Sequence, residues 1–148
     1  MSVSLSVVSH PLSSTGTAPF EQPSRDLVLL IEDDDLVAEI MGHMLSRIGK
    51  RLLRARTGRE GAQLFEARKA EIAIVMLDCF LPDGNGVALS RVLRRHSPLL
   101  PIIVTSGADE LEKYFLSENA GTVFLAKPFF PRQVEELLDR MLRSPAAT

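Results

Sequence analysis

Only one cysteine occurs in the chain, Cys79, so no internal disulfide can form. Such sparing use of cysteine points to a reducing compartment and a cytoplasmic location. No stretch approaches the ~20 consecutive apolar residues needed to cross a bilayer. The start lacks the basic segment and unbroken apolar core of a signal peptide. A membrane partner is therefore not expected. Charge is nearly balanced, with 17 Lys and Arg against 19 Asp and Glu, so nothing points to a nucleic-acid partner either. At 148 residues there is room for one domain with a proper core, not for two comfortable ones.

Residues 1–24 are poor in core-forming material. Seven serines, three prolines and a single charged residue, Glu21, read as a flexible tail. The folded domain is placed at 25–148.

The most informative stretch is the apolar run Ile72-Ala73-Ile74-Val75-Met76-Leu77, which ends abruptly in Asp78. It is aliphatic, short and without polar alternation, as a strand buried on both faces of a parallel sheet is. Cys79 reads as a small buried hydrophobe. A turn follows: Pro82 fixes φ, Asp83 and Asn85 favour turns, and Gly84 and Gly86 permit positive φ. One acid at a strand end caps a turn as readily as it does chemistry, so the rest of the chain has to decide its role.

A second apolar run, Leu27 to Ile31, leads into Glu32-Asp33-Asp34-Asp35. The next stretch carries Leu36, Val37, Ile40, Met41, Met44, Leu45 and Ile48 at helical spacing, and Gly49 ends it. Asp34 or Asp35 can serve as N-cap, which leaves Glu32 and Asp33 at the strand end. Arg51 to Ala55 reads as a basic edge strand, followed by a helix over 59–69. The arginines at 47, 51, 54, 56 and 59 read as ordinary surface charge. Past Gly86, Val87, Leu89, Val92 and Leu93 mark a helix stopped by Ser97-Pro98, and His96 is a helix-end histidine. A strand over 101–107, a helix over 109–119, a strand over 122–126 ending in Lys127-Pro128-Phe129, and a helix from Pro131 complete the chain.

Five strand–helix alternations predict an α/β fold, (βα)5, doubly wound and flavodoxin-like, with a parallel five-stranded sheet in the order 2-1-3-4-5. Strands 1 and 3 then flank the switch point, and Glu32, Asp33 and Asp78 meet in one crevice. At ~4 Å and an effective dielectric of ~20, each carboxylate pair costs about 4 kcal/mol. Protonation or a cation relieves this, and magnesium suits few carboxylates plus a substrate phosphate oxygen. Asp78 can then act as nucleophile on phosphorus, with Lys127 neutralising phosphoryl charge and Thr105 donating a hydrogen bond.

Residues 26–143 resemble the receiver domains of two-component response regulators. The resemblance rests on Glu32-Asp33, Asp78, Pro82 four residues on, Gly86 eight on, Thr105, and Lys127-Pro128. It implies that Asp78 accepts a phosphoryl group from a histidine kinase or a histidine phosphotransfer protein. It also implies that Glu32, Asp33, Asp78 and the backbone carbonyl of Phe80 hold Mg2+, and that Thr105 and Lys127 contact the phosphoryl group. Phe124 occupies the switch-aromatic position and Ser106 the small position that admits phosphate. Such a domain is no conventional enzyme, since it only catalyses its own phosphorylation and dephosphorylation. With no room for an output domain after residue 143, it would signal through a changed surface over the helix at 109–119, the strand at 122–126 and the last helix. Alternatives are a receiver cut from a hybrid histidine kinase or larger regulator, a degenerate receiver that binds partners without phosphorylation, and a haloacid-dehalogenase-like phosphatase. The last family needs a second acid two residues after its nucleophile, where this chain has Phe80.

Overall fold

Alternation along the first strand explains the layering. Five consecutive aliphatic residues, Leu27 to Ile31, are all buried, yet they serve two cores. Leu27, Leu29 and Ile31 join one cluster with Phe65, Leu77 and Leu93. Val28 and Leu30 join another with Met41, Leu45, Val134 and Leu138. Successive side chains of a strand point to opposite faces, so a strand apolar throughout requires helices on both sides.

The computed structural model describes residues 25–107 and 121–143. Its strands are β1 (Leu27–Ile31), β2 (Arg51–Ala55), β3 (Ile72–Asp78), β4 (Ile102–Ser106) and β5 (Thr122–Ala126), and its helices are α1 (Asp35–Arg47), α2 (Gly58–Arg68), α3 (Gly86–His96) and α4 (Pro131–Arg143). All neighbouring strands pair in parallel, in the order β2-β1-β3-β4-β5. This is the predicted topology. Helices α2 and α3 supply Phe65, Val87 and Leu93 to one face, and α1 and α4 supply Met41, Leu45, Val134 and Leu138 to the other. The tail read at 1–24 and the helix read over 109–119 lie outside the described residues.

The helix starts follow from local chemistry. The Asp34 carboxylate accepts from the amides of Leu36 and Val37 at 2.8 and 3.2 Å, Thr57 Oγ1 from Glu60 at 3.1 Å, and Asn85 Oδ1 from Val87 at 2.6 Å. Each satisfies amides that a helix N-terminus leaves open. Gly49 ends α1 with φ of 76°, the left-handed conformation glycine adopts at no steric cost.

Three details depart from expectation. The buried arc of α1 is narrower than its apolar stripe: Ala38, Met41, Met44 and Leu45 are inside, whereas Leu36, Ile40 and Ile48 are exposed. The helix is apolar over a wider angle than the sheet can cover. Val92 of α3 is likewise exposed, and Ser90 is buried instead, its hydroxyl satisfied by the Val87 carbonyl at 2.7 Å. The turn after Asp78 is also more ordered than a plain loop, because Phe80–Leu81 pairs antiparallel with Gly84–Asn85.

Candidate functional site

The site lies where β1 and β3 end side by side. The β1–β3 ladder runs to Ile31 opposite Leu77, so Glu32, one residue past β1, comes abreast of Asp78, the last residue of β3. Asp78 pairs in register with Thr105 at the end of β4, and Ser106 pairs with Ala126 at the end of β5. Backbone bonds from Cys79 to the Thr105 carbonyl and from Lys127 to the Ser106 carbonyl, both 2.8 Å, carry the alignment one residue past the sheet. Sheet register thereby brings four separated stretches of chain to one rim.

One carboxylate oxygen from each of Glu32, Asp33 and Asp78 lies within 4.8 Å of the others. Glu32 is buried at 2 % exposure and Asp78 is also buried, whereas Asp33 is exposed. Lys127 Nζ bridges the two buried acids, at 2.9 Å from Asp78 Oδ2 and 3.4 Å from Glu32 Oε1. The other Asp78 oxygen, Oδ1, accepts from the Phe80 amide at 3.1 Å, and Glu32 Oε2 accepts from the Asp34 amide at 3.1 Å. Burial pushes the Glu32 carboxyl above its ordinary value, against the Asp34 amide and Lys127 that favour its charge; the Asp78 charge adds to the rise. For Lys127, burial favours the neutral amine, but the bond to Asp78 and the charges of Glu32 and Asp78 outweigh it, so its pKa is raised. One lysine against three carboxylates leaves the crevice short of positive charge. All-oxygen donors on a solvent-facing rim fit a hard divalent cation.

Thr105 and Ser106 are buried beside the acids. Phe124, half-buried, packs on the core cluster shared with Val87 and Leu93. The Phe80 side chain points outward at 62 % exposure. Gly86 cannot be replaced without disturbance: a Cβ there would fall 2.1 Å from the Asp78 carbonyl oxygen. The close approach of α3 to the strand end thus explains why a glycine stands eight residues after Asp78. Beside the crevice, Val37, Ile40, Met41, Lys127, Pro128 and Phe129 line an apolar groove of about 380 Å³.

Two residues at this rim escape a sequence reading. Asp83 is more than a turn former, because its oxygens accept from the amides of Gly58 and Arg59 at 2.8 and 2.9 Å and so tie the loop after Asp78 to the start of α2. Arg54 is no ordinary surface charge. It reaches the Glu32 carbonyl and Asp35. The faint signal for it was a basic residue among Leu52, Leu53 and Ala55, in a strand abreast of the one that ends in acids.

Fold and site together define a class: doubly wound α/β domains with an acid–lysine crevice at the topological switch point. The family model of the response regulator receiver domain matches residues 28–139. The chain is 34% identical over 119 residues to the transcriptional regulatory protein GltR of Pseudomonas aeruginosa, covering 78% of this chain and 48% of that protein. It is 30% identical over 121 residues to the KDP operon transcriptional regulatory protein KdpE of Escherichia coli, covering 82% and 53%. The chain thus spans about half the length of the curated relatives it matches. A CheY-like receiver domain protein from Methanospirillum hungatei superimposes with a TM-score of 0.70 at 27% identity, covering 80% of this chain and 94% of that one. The receiver domain of the hybrid histidine kinase CckA shares the fold, with a TM-score of 0.68 at 24% identity and coverage of 79% and 99%. The chain belongs to the response regulator receiver domain family of two-component signalling. Membership in it displaces the haloacid-dehalogenase-like alternative.

Proposed function

We propose that residues 25–148 act as a phosphorylatable receiver in which Asp78 accepts a phosphoryl group from a phosphohistidine. The observation that carries this reading is the convergence of Lys127 Nζ on Asp78 Oδ2 at 2.9 Å, with Glu32 Oε1 at 3.4 Å. A strand-end carboxylate is held there by a cation that can follow the charge onto a phosphoryl oxygen. Asp78 forms a bond to phosphorus while the bond to the donor imidazole nitrogen breaks, and that nitrogen keeps the electron pair. Lys127 and the Thr105 hydroxyl then neutralise and bond the phosphoryl oxygens. Glu32, Asp33, Asp78 and the Phe80 carbonyl are the residues that would hold Mg2+, which when bound offsets negative charge shared by the acids and the phosphoryl group. Displacement of Thr105 toward the phosphoryl group would free room for Phe124 to turn.

The donor on this reading is a histidine kinase or a histidine phosphotransfer protein. In support, the apolar groove under Ile40 and Phe129 adjoins Lys127 itself, and Leu36, Phe80 and Phe130 add exposed apolar surface. Surface of that kind beside a reactive crevice suits a protein donor better than a small solute.

The test is labelling with acetyl phosphate and with phosphorylated kinase. The parent should acquire a hydroxylamine-labile acyl phosphate and Asp78→Asn none. Undiminished labelling of the variant would refute the assignment.

A further inference from the structure

Arg54 stands in β2 abreast of Leu30, one position before the strand ends. Its side chain is only 20 % exposed. Nε and one terminal nitrogen both donate to the backbone carbonyl of Glu32, at 3.1 and 3.0 Å. The other terminal nitrogen donates to Asp35 Oδ1 at 2.8 Å. Arg56 meets the same Asp35 oxygen, at 2.6 Å. One guanidinium therefore grips both ends of the acidic turn, its peptide oxygen at Glu32 and its carboxylate at Asp35.

The Glu32 carbonyl belongs to the peptide that carries Asp33. Other bonds to this turn are made at Glu32 and Asp34: the Glu32 amide to the Ala55 carbonyl at 2.9 Å, and the Asp34 amide to Glu32 Oε2 at 3.1 Å. We propose that Arg54 is a positioning residue for the cation site, holding the Glu32–Asp33 peptide so that the exposed Asp33 carboxylate stays within reach of Glu32 and Asp78. This rests on the reading of those three acids as metal ligands.

Charge and geometry make opposite predictions here. As a nearby positive charge, Arg54 opposes cation binding, so its removal would tighten binding. As a fork that fixes a peptide plane, it aids binding, so its removal weakens it. Lysine separates the two, because it keeps the charge but has one nitrogen where the fork presents three.

The experiment titrates magnesium alone into the metal-free full chain, followed by amide shifts in NMR, for the parent, Arg54→Lys, Arg54→Gln and Arg56→Gln. Both Arg54 variants should bind about tenfold more weakly, the lower end of the range for partners behind a metal ligand. Arg56→Gln should stay within about twofold, since the Arg56 side chain meets the turn at the Asp35 carboxylate and not at the peptide that carries Asp33. The metal-free melting temperature of Arg54→Lys should match the parent, which separates positioning from general stability. Arg54→Lys carries the test if Arg54→Gln does not fold. Equal affinity of Arg54→Lys and the parent, tighter binding by Arg54→Gln, or equal weakening by Arg56→Gln would overturn the role of Arg54. A parent that binds no magnesium would overturn the metal reading itself, and the positioning role with it.

Discussion

Both oxygens of Asp78 are engaged before any donor arrives, Oδ1 by the Phe80 amide and Oδ2 by Lys127. A carboxylate held on two sides loses little freedom on reaching phosphorus, which lowers the entropic part of the barrier. Loss of the phosphoryl group by hydrolysis needs a water in line with the Asp78–phosphorus bond, and here the neighbouring side chains offer little. Phe80 has no polar side-chain atom and stands outward, and Gly107 has no side chain at all. The phosphorylated chain should therefore decay slowly, with reset left to a partner phosphatase or to reverse transfer. Phe80→Asn should speed decay by about two- to tenfold, the equivalent of one hydrogen bond of about 0.5–1.5 kcal/mol. The measurement is the loss of label from purified phosphoprotein in magnesium. A parent that decays as fast as the variant contradicts this.

The segment from Cys79 to Gly86 is anchored at each end and in its middle. Cys79 bonds the Thr105 carbonyl, and Gly86 returns to the Cys79 carbonyl, both at 2.8 Å. Asp83 binds the first amides of α2. The Arg59 and Gly58 amides hold the Asp83 carboxyl below its ordinary value of 3.8. A folded pKa below the unfolded one means that this stabilisation is present above about pH 3.8 and is lost as the pH falls through the folded value. Asp83→Asn should accordingly be less stable than the parent in urea at neutral pH, with the gap narrowing as the pH falls through and below the ordinary carboxylate value of 3.8. A gap that persists in acid would show that the carboxylate charge is not the source. Gly86→Ala tests the other anchor. With its Cβ 2.1 Å from the Asp78 carbonyl oxygen, backbone has to shift, so the variant should lose about 3 kcal/mol by the same urea unfolding.

Across the molecule, the exposed part of the α1 stripe gains meaning from what lies next to it. Ile40 would be an ordinary surface residue on an isolated helix, but it lines the groove shared with Lys127 and Phe129. If this face receives the phosphodonor protein, Ile40→Glu should slow transfer from that protein by about tenfold, as loss of an interface anchor does. Labelling by acetyl phosphate, which needs no docking, should be unchanged. Equal loss with both donors would mean that the crevice itself had been damaged.

Much of this was already written in residue order. Unbroken apolar runs ending in acid or lysine specify buried parallel strands and place their chemistry at the carboxyl rim, because side-chain burial on both faces leaves no other arrangement for them. Asp34 announces a helix start for an equally local reason, the unmet amides of a first turn, whereas Asn85, read as a turn former, proves to cap α3 as well. The family resemblance came from the same strand-end positions. What needed the folded chain was whatever depends on contacts between distant segments. Leu36 and Ile40 share the spacing of Met41 and Met44, yet only packing in the folded chain separates exposed from buried. Arg54 and Arg56 are alike on paper, and the β1–β2 register alone gives one of them the Glu32 carbonyl. Asp83 reads as a turn former until the loop closes on α2, some 25 residues earlier in the chain. Local periodicity and capping act over a few residues and can be read along the chain, whereas these partners are chosen by strand order and packing, which exist only once the sheet has formed.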